Sequence, residues 1–266
     1  MIILLHVLVA ALYAATAWAR WPRTVAPRAA LQRAGQWLLA LALVLHAVAI
    51  WHAIVRDGGL DLSFVNALSL VAGLAVLAAW VTGVLRALPG VAAVVLPVAA
   101  GCALLPPLAA SHHQVPFEGE PWAAAHIGVA LVAYALFVVV ALQALVVTGL
   151  EKRLHRGLPE TPRGTPPLLT LERYMFRLLG VGFVLLTATL ASGMLFSEEI
   201  FGKAVPLNHK NVFSVAGWLA FAILLVGRWR HGWRGRTALK WILAGTLLLV
   251  LGYLGSKFVR EVVLGR

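Results

Sequence analysis

Eight long apolar stretches follow one another along the chain, separated by short polar segments. A membrane-spanning α-helix needs about 20 predominantly apolar residues, and every stretch approaches or exceeds that length. The pattern predicts an all-α, polytopic integral membrane protein, a bundle of about eight transmembrane helices that forms one domain over residues 1–266. The predicted spans are residues 2–19, 35–55, 64–85, 89–109, 122–149, 174–196, 212–228 and 238–258.

Composition supports a membrane environment. Hydrophobic residues make up 61% of the 266-residue chain and charged residues 12%, with a mean hydropathy of +0.89. A soluble domain of this length would need a more polar surface. The single cysteine, Cys102, lies in an apolar stretch and excludes an intrachain disulfide.

Charge predicts the orientation of the spans. With the segments after spans one, three, five and seven placed inside, that side holds 16 of the 22 basic residues and three of the ten acidic ones. Lys and Arg concentrate on the cytoplasmic side of membrane proteins, so we expect both termini outside, in a multi-pass protein of the bacterial inner (cytoplasmic) membrane. The first span has no basic residues before it, unlike a signal peptide, and is expected to be retained. The net charge of +12 is thus explained by the orientation of the spans in the lipid bilayer, and no nucleic-acid partner is expected.

Histidines are the most informative ionisable residues, because such residues are costly within spans and usually functional. Two of the nine, His155 and His231, fall in basic inner segments and are interpreted as surface residues. His46 lies about 12 Å and His126 about 6 Å below the predicted outer ends of their helices. Two neutral imidazoles at similar depth are suited to hold a six-coordinate haem iron between helices. The alternative is that each histidine only bonds to a neighbouring helix. The seven outer histidines are His6, His46, His52, His112, His113, His126 and His209.

The other outer histidines are weaker candidates. His52 follows His46 by six residues and points to a different helix face, which favours an interfacial position. His209 precedes the seventh span and is a reserve ligand. The adjacent His112 and His113 share a loop with two carboxylates and are a weak alternative as metal ligands. The sequence contains no G-x-S-x-G, H-E-x-x-H or Walker-type glycine loop.

Residues 126–137 are His-Ile-Gly-Val-Ala-Leu-Val-Ala-Tyr-Ala-Leu-Phe. This segment resembles the histidine-bearing helix of the CcsA/CcmC/HemX-like cytochrome c assembly superfamily. Residues 210–228, the Gly-Trp-Arg-Gly-Arg segment at 232–236 and the final helix at 251–257 are also similar. The eight-span layout is most similar to the HemX/YpjD-like inner-membrane members. The resemblance implies a haem-handling protein with histidines as axial ligands, His126 first, then His46, with His209 carried over more weakly.

The chain also departs from the synthetases of that superfamily. The tryptophan-rich signature W-G-x-x-W-x-W-D is absent, and so is a histidine after the last span. The resemblance implies that these features present haem to apocytochrome, so we do not expect synthetase or other enzymatic activity. We expect a non-covalent b-type haem, bis-histidine ligation, and a role in haem delivery or cytochrome c assembly with haem-trafficking or maturation proteins. The alternatives are a transporter or accessory factor handling a metal or small ion at the outer face, and a structural subunit of a membrane complex.

Overall fold

A computed structural model describes residues 2–20, 29–56, 59–108, 114–115, 121–156, 166–201 and 209–263. The α-helices are α1 (Ile2–Arg20), α2 (Ala29–Ile54), α3 (Phe64–Val81), α4 (Val84–Ala87), α5 (Pro89–Ala103), α6 (Pro121–His155), α7 (Leu168–Phe201), α8 (His209–His231), α9 (Gly235–Val250) and α10 (Ser256–Phe258). Two π-helical segments, Leu251–Gly255 and Val259–Val263, flank α10 and continue the last helix.

The predicted polytopic all-α fold is confirmed. Among the described residues, eight helical segments are long and apolar enough to cross a membrane. Several helices are longer than the apolar stretches that predicted them; α6, for example, runs 35 residues to His155. The extra turns carry charged residues such as Glu151 and Lys152, which lower hydropathy without interrupting backbone hydrogen bonding. The sidedness of the termini stays a prediction.

A small antiparallel sheet, which the apolar pattern did not predict, connects helices in the first half of the chain. Its strands are β1 (Val55–Arg56), β2 (Gly59–Asp61) and β3 (Gln114–Val115), in the order β1-β2-β3. Val55 pairs with Leu60, which also pairs with Val115. Strands of two or three residues are too short to produce a detectable alternation of polar and apolar side chains.

The chain comprises two compact units. Unit 1 consists of residues 1–118 and 160–165, and unit 2 consists of residues 119–159 and 166–266. The predicted single eight-helix domain therefore stays a prediction, and each unit is described by itself.

In unit 1, α1 packs against α2 and α5, and α3 packs against α2 and α5. The interior contains fully buried side chains such as Val9, Tyr13 and Leu96. Pro97 lies within α5, and the helix ends at Ala103, just before the 3-10 turn at Pro106–Leu108. Two consecutive prolines, Pro106 and Pro107, follow that end, and a proline cannot donate the backbone hydrogen bond that a helix needs.

In unit 2, α6 packs against α7 and α9, and α8 packs against α9. At the centre, the rings of Phe137 and Phe221 stack with centroids 4.1 Å apart and planes 5° apart. Gly245 on α9 permits this close packing, because a Cβ there would lie 2.7 Å from the Phe221 ring. Tight contact through small residues is the usual way in which membrane helices associate.

Candidate functional site

His126 lies in the second turn of α6 and contacts α7 through a hydrogen bond. Its Nδ1 lies 2.8 Å from Oγ of Ser192. The Ser192 hydroxyl donates to backbone carbonyls of its own helix, with Oγ 2.8 Å from the Ala188 oxygen and 3.1 Å from the Thr189 oxygen. The hydroxyl proton is thus committed to α7, and Oγ is left to accept a hydrogen bond from the imidazole.

This arrangement favours one tautomer of His126. Because the Ser192 oxygen accepts, the His126 Nδ1 carries the proton and Nε2 keeps its lone pair. Metal-ligating histidines commonly donate one ring N–H to such a partner while the other nitrogen binds the metal. The donor chemistry at His126 therefore fits an axial ligand for haem iron.

Gly193 gives the His126 ring room against α7. A Cβ at this position would lie 3.3 Å from Cε1 of His126 and 4.0 Å from Nε2. The distance to Cε1 is tighter than most Cβ contacts allow, so a side chain here would displace the imidazole. Ser192 and Gly193 together hold the half-buried ring in one orientation.

Positive charge lies beside His126. Lys210, the second residue of α8, interacts electrostatically with the imidazole. The Lys210 Nζ also lies 5.7 Å from the ring centroid of Tyr253, and the Lys257 Nζ lies 5.8 Å from the same centroid. Lys257 is 7% exposed and forms an ion pair with Glu261 at 3.4 Å.

His209, the reserve ligand, is the first residue of α8 and has an exposed side chain. It belongs to unit 2, as His126 does. Because His209 is exposed at the start of α8, one residue before Lys210, its imidazole is accessible to a bound ligand.

His46 is buried inside unit 1 with both ring nitrogens in hydrogen bonds. Nδ1 lies 3.0 Å from the Tyr13 hydroxyl of α1, and Nε2 lies 3.0 Å from Oγ of Ser69 of α3. Gly73 faces the ring, since a Cβ there would lie 2.9 Å from Nδ1. His46 therefore joins three helices, and binding iron would require it to give up one of these hydrogen bonds.

A groove of about 330 Å³ lies beside His46 between α2 and α3. Its lining is aliphatic, with His46 and Trp80 as the residues that bear ring nitrogens. In a membrane such an apolar groove is compatible with lipid tails. Among its lining residues, His46 is the one whose side chain commonly binds iron.

The structure also brings His6 into the interior of unit 1, a position that sequence reasoning did not single out. His6 is 1% exposed, and its Nδ1 lies 2.7 Å from the Ala103 carbonyl oxygen of α5. Its Nε2 is buried and has no hydrogen-bond partner among the described residues. The only available signal was a histidine inside an apolar stretch, and the carbonyl partner lies 97 residues away in sequence.

The remaining predicted residues are dispersed or lie outside the described part. His52 lies exposed in the last turn of α2, away from the buried His46. His112 and His113 fall outside the described residues, as do Glu118 and Glu120. Within the described ranges, no group of three or more His, Cys, Asp or Glu residues is arranged to hold a metal ion.

Ser192 and Lys210 were not predicted as site residues. Lys210 was identified only as part of residues 210–228, a segment that resembles the family. Ser192 is 66 residues from His126 in sequence, so only the antiparallel packing of α6 and α7 brings the two together. A serine followed by glycine inside an apolar stretch was the available signal.

Comparisons with known proteins identify the family of the chain. A family model described as "Cytochrome C assembly protein" matches residues 35–264. The inner membrane protein YpjD of Escherichia coli strain K12 is 32% identical over 246 residues, which cover 88% of this chain and 91% of that protein. The cytochrome c biogenesis protein CcsA of Prochlorococcus marinus strain AS9601 is 28% identical over 185 residues, 62% of this chain and 60% of that protein. CcsA of Chlamydomonas reinhardtii is 28% identical over 152 residues, 55% of this chain and 41% of that protein. No solved structure matches the chain.

Proposed function

Because the chain belongs to the cytochrome c assembly protein family and is a multi-pass inner-membrane protein, we propose that it binds haem and assists haem delivery or cytochrome c assembly. The observation that supports this most directly is the 2.8 Å hydrogen bond between His126 Nδ1 and Ser192. It prepares Nε2 of His126 as a ligand in the way that second-shell partners prepare metal-bound histidines.

In this proposal a non-covalent b-type haem would be held by two histidines. His126 would be the first ligand. For the second, we favour His209 over His46, because His209 is exposed in the same unit as His126 and both ring nitrogens of His46 are hydrogen-bonded. His52, exposed at the end of α2, is the least favoured.

We propose a binding and delivery role rather than catalysis. The tryptophan-rich synthetase signature is absent from the sequence, so the chain lacks the element that the family resemblance associates with presenting haem to apocytochrome. Its partners in this role are haem-trafficking or cytochrome c maturation proteins in the same membrane.

One observation favours a second function, that of a structural subunit of a membrane complex. The Tyr13–His46–Ser69 contacts use a histidine to join helices of unit 1, and that use needs no cofactor. Under this alternative, no histidine substitution removes a cofactor from the complex, and the chain co-purifies with a fixed partner.

The decisive experiment is purification in mild detergent from haem-supplied cells, followed by oxidised and reduced spectra and a pyridine haemochrome assay. We expect a b-type spectrum with about one haem per chain. His126→Ala should remove the haem, whereas His155→Ala should not, because His155 is exposed and bonds the Glu151 carbonyl of its own helix.

A colourless wild-type protein, even after haem is added, would refute the proposal. Undiminished haem in a folded His126→Ala variant would remove His126 from the site. Loss of the low-spin spectrum in His209→Ala but not in His46→Ala would identify the second ligand, and the reverse result would restore His46.

A further inference from the structure

We propose that Arg177, Arg228 and Arg230 form a binding site for the headgroup phosphate of an anionic phospholipid. The site lies at the end of unit 2 where α7 begins and α8 ends, and the acyl chains of the lipid extend along the exposed faces of these two helices. All of the residues involved belong to unit 2. The inference does not depend on haem binding, because the proposed ligand His209 lies at the opposite end of α8.

Helices α7 and α8 each present one exposed face that is aliphatic along its length and basic at one end. The exposed residues recur at intervals of three or four, which places them on one side of each helix. On α7 they are Arg173, Arg177, Val181 and Val184, and on α8 they are Val215, Leu219, Ile223, Val226 and Arg230. Long arginine side chains reach from an apolar face to the level of the headgroups. A phospholipid has the same division into apolar chains and a charged group.

The two exposed faces adjoin the α7–α8 seam, the contact formed by Phe183, Thr187 and Trp218. The Trp218 indole N–H donates to Oγ1 of Thr187 at 2.9 Å, and the rings of Phe183 and Trp218 stack with centroids 5.5 Å apart. Val184 and Leu219 directly follow the two stacked residues in sequence, so each exposed face lies next to the side chains that join the helices. One lipid molecule at the seam therefore contacts both faces.

Arg228 lies between α7 and α8 at the basic end of the two faces. Its Cζ lies 4.6 Å from the ring centroid of Phe176 on α7, and its Nη1 donates to the Trp233 carbonyl oxygen at 3.3 Å. These contacts hold the half-buried side chain in one orientation. A guanidinium has five N–H donors, and arginine commonly binds a phosphate through two parallel hydrogen bonds.

The other two arginines lie beside exposed aromatic rings. The Arg177 Cζ lies 5.9 Å from the Tyr174 ring centroid, and the Arg230 Cζ lies 5.8 Å from the Trp229 ring centroid. Both rings are exposed, and exposed Tyr and Trp side chains prefer the interface between hydrocarbon and water. The two guanidinium groups therefore lie at the depth where lipid phosphates are found.

The charge at this end of unit 2 is complementary to an anionic lipid. Ten lysine or arginine residues and two glutamates occur there, in residues 151–156, 172–177 and 228–240. Glu172 pairs with Arg234 at 2.9 Å, and a Cβ at Gly235 would lie 3.1 Å from the Glu151 carboxylate. Within the described ranges, the three proposed arginines pair with no carboxylate. Basic side chains near a membrane surface attract anionic lipids.

The test uses the purified full chain in detergent, titrated separately with dioleoyl phosphatidylglycerol and dioleoyl phosphatidylcholine. The two lipids have identical chains, and the second has a headgroup without net charge. Native mass spectrometry measures the bound lipid. We expect the wild type to bind phosphatidylglycerol at least about tenfold more tightly, the size expected when two or more basic residues act on one anionic lipid.

Arg177→Gln combined with Arg230→Gln should abolish this preference. The matched control combines Lys152→Gln with Arg153→Gln, which removes the same charge from the same end of unit 2 at exposed positions on α6. The control should keep the wild-type preference. Arg228→Gln should lower it by about fivefold, the contribution of one basic residue.

The proposal is overturned if the wild type binds both lipids equally, or if the preference survives loss of Arg177 and Arg230. Equal loss of the preference in the two double variants would indicate general attraction to the basic end, and would also overturn the site. Competition by glycerol phosphate, which lacks acyl chains, at the same concentration would identify a site for free phosphate esters instead of a lipid. Far-ultraviolet circular dichroism checks the fold, and the two single variants repeat the test if the double variant unfolds.

Discussion

The His126 imidazole and the Ser192 hydroxyl lie 2.8 Å apart across the packed helices α6 and α7. Ser192 accepts this hydrogen bond because its own proton is directed at the carbonyls of its helix. The pair therefore orients the imidazole and favours the tautomer with the proton on Nδ1.

Ser192→Ala should weaken haem binding while leaving the fold intact. Loss of a second-shell partner typically lowers metal affinity by about 10- to 100-fold, and we expect a reduction of that order together with a shifted reduction potential. Ser192→Thr should keep the wild-type haem affinity and reduction potential, because a threonine hydroxyl can make the same contacts. Haem titration and spectroelectrochemistry provide the measurements.

A suitable control for this prediction is Ser256→Ala. Ser256 makes the same pair of bonds to its own helix, to the carbonyls of Gly252 at 2.8 Å and Tyr253 at 2.9 Å. Its replacement should leave the reduction potential unchanged. Equal effects of the two alanine substitutions would mean that Ser192 acts only on helix α7 and not through His126.

Gly193→Val should displace the His126 imidazole and reduce haem content by about tenfold or more. We expect this size because a displaced imidazole also loses its hydrogen bond to Ser192. The Cβ alone would lie 3.3 Å from Cε1 of His126. Gly180→Val is the matched control on the same helix, because a Cβ at Gly180 meets no other described atom within 4 Å apart from its own stretch of helix. Comparable haem loss in both variants would indicate a general effect of valine on α7.

The two histidine environments show what the sequence can and cannot predict. Burial of His46 and its place in the second span were predictable, because span position follows from the apolar pattern. Its two partners were not, since Tyr13 and Ser69 lie 33 and 23 residues away on other helices. The apolar pattern within one helix does not predict which residues of another helix that helix contacts. The same reason explains why Ser192 was missed, whereas His126 was identified by its depth in the fifth span and by the family resemblance.

The fold class was easier to predict from the sequence than the geometry of the site. Eight apolar stretches of the right length lead directly to eight helices, because a bilayer admits few other ways to satisfy the backbone. The small sheet β1-β2-β3 was missed for the opposite reason: its pairings, such as Asp61 with Gln114, join short polar segments whose side chains have no membrane-imposed pattern.

Tyr13→Phe and Ser69→Ala should each destabilise unit 1 without reducing haem content. Each substitution removes one partner of the buried His46, and an unsatisfied buried polar group costs about 1–3 kcal/mol. Thermal unfolding in detergent, monitored by circular dichroism, measures the effect. Thr82→Val serves as control because its exposed hydroxyl bonds only the Ala78 carbonyl of its own helix among the contacts described. A loss of haem from variants that remain folded would contradict this prediction and make His46 a candidate iron ligand.

The orientation predicted from charge can be tested independently of haem. Exposed tryptophans occur near the ends of the helices, with Trp18, Trp37 and Trp229 73%, 78% and 81% exposed respectively. Such rings prefer both membrane interfaces, so they mark the span ends but not the side. The basic residues indicate the side, because Arg228 and Arg230 end α8 and Arg236 and Lys240 begin α9.

Alkaline phosphatase fused after the final helical segment, Val259–Val263, should be active, and the same enzyme fused after α8 should be inactive. Green fluorescent protein at the two sites should give the reverse pattern, because it fluoresces when it folds in the cytoplasm. An active phosphatase after α8 would place the arginine-rich end outside and would move His126 and Lys210 to the cytoplasmic side, which would change the compartment from which haem reaches the protein.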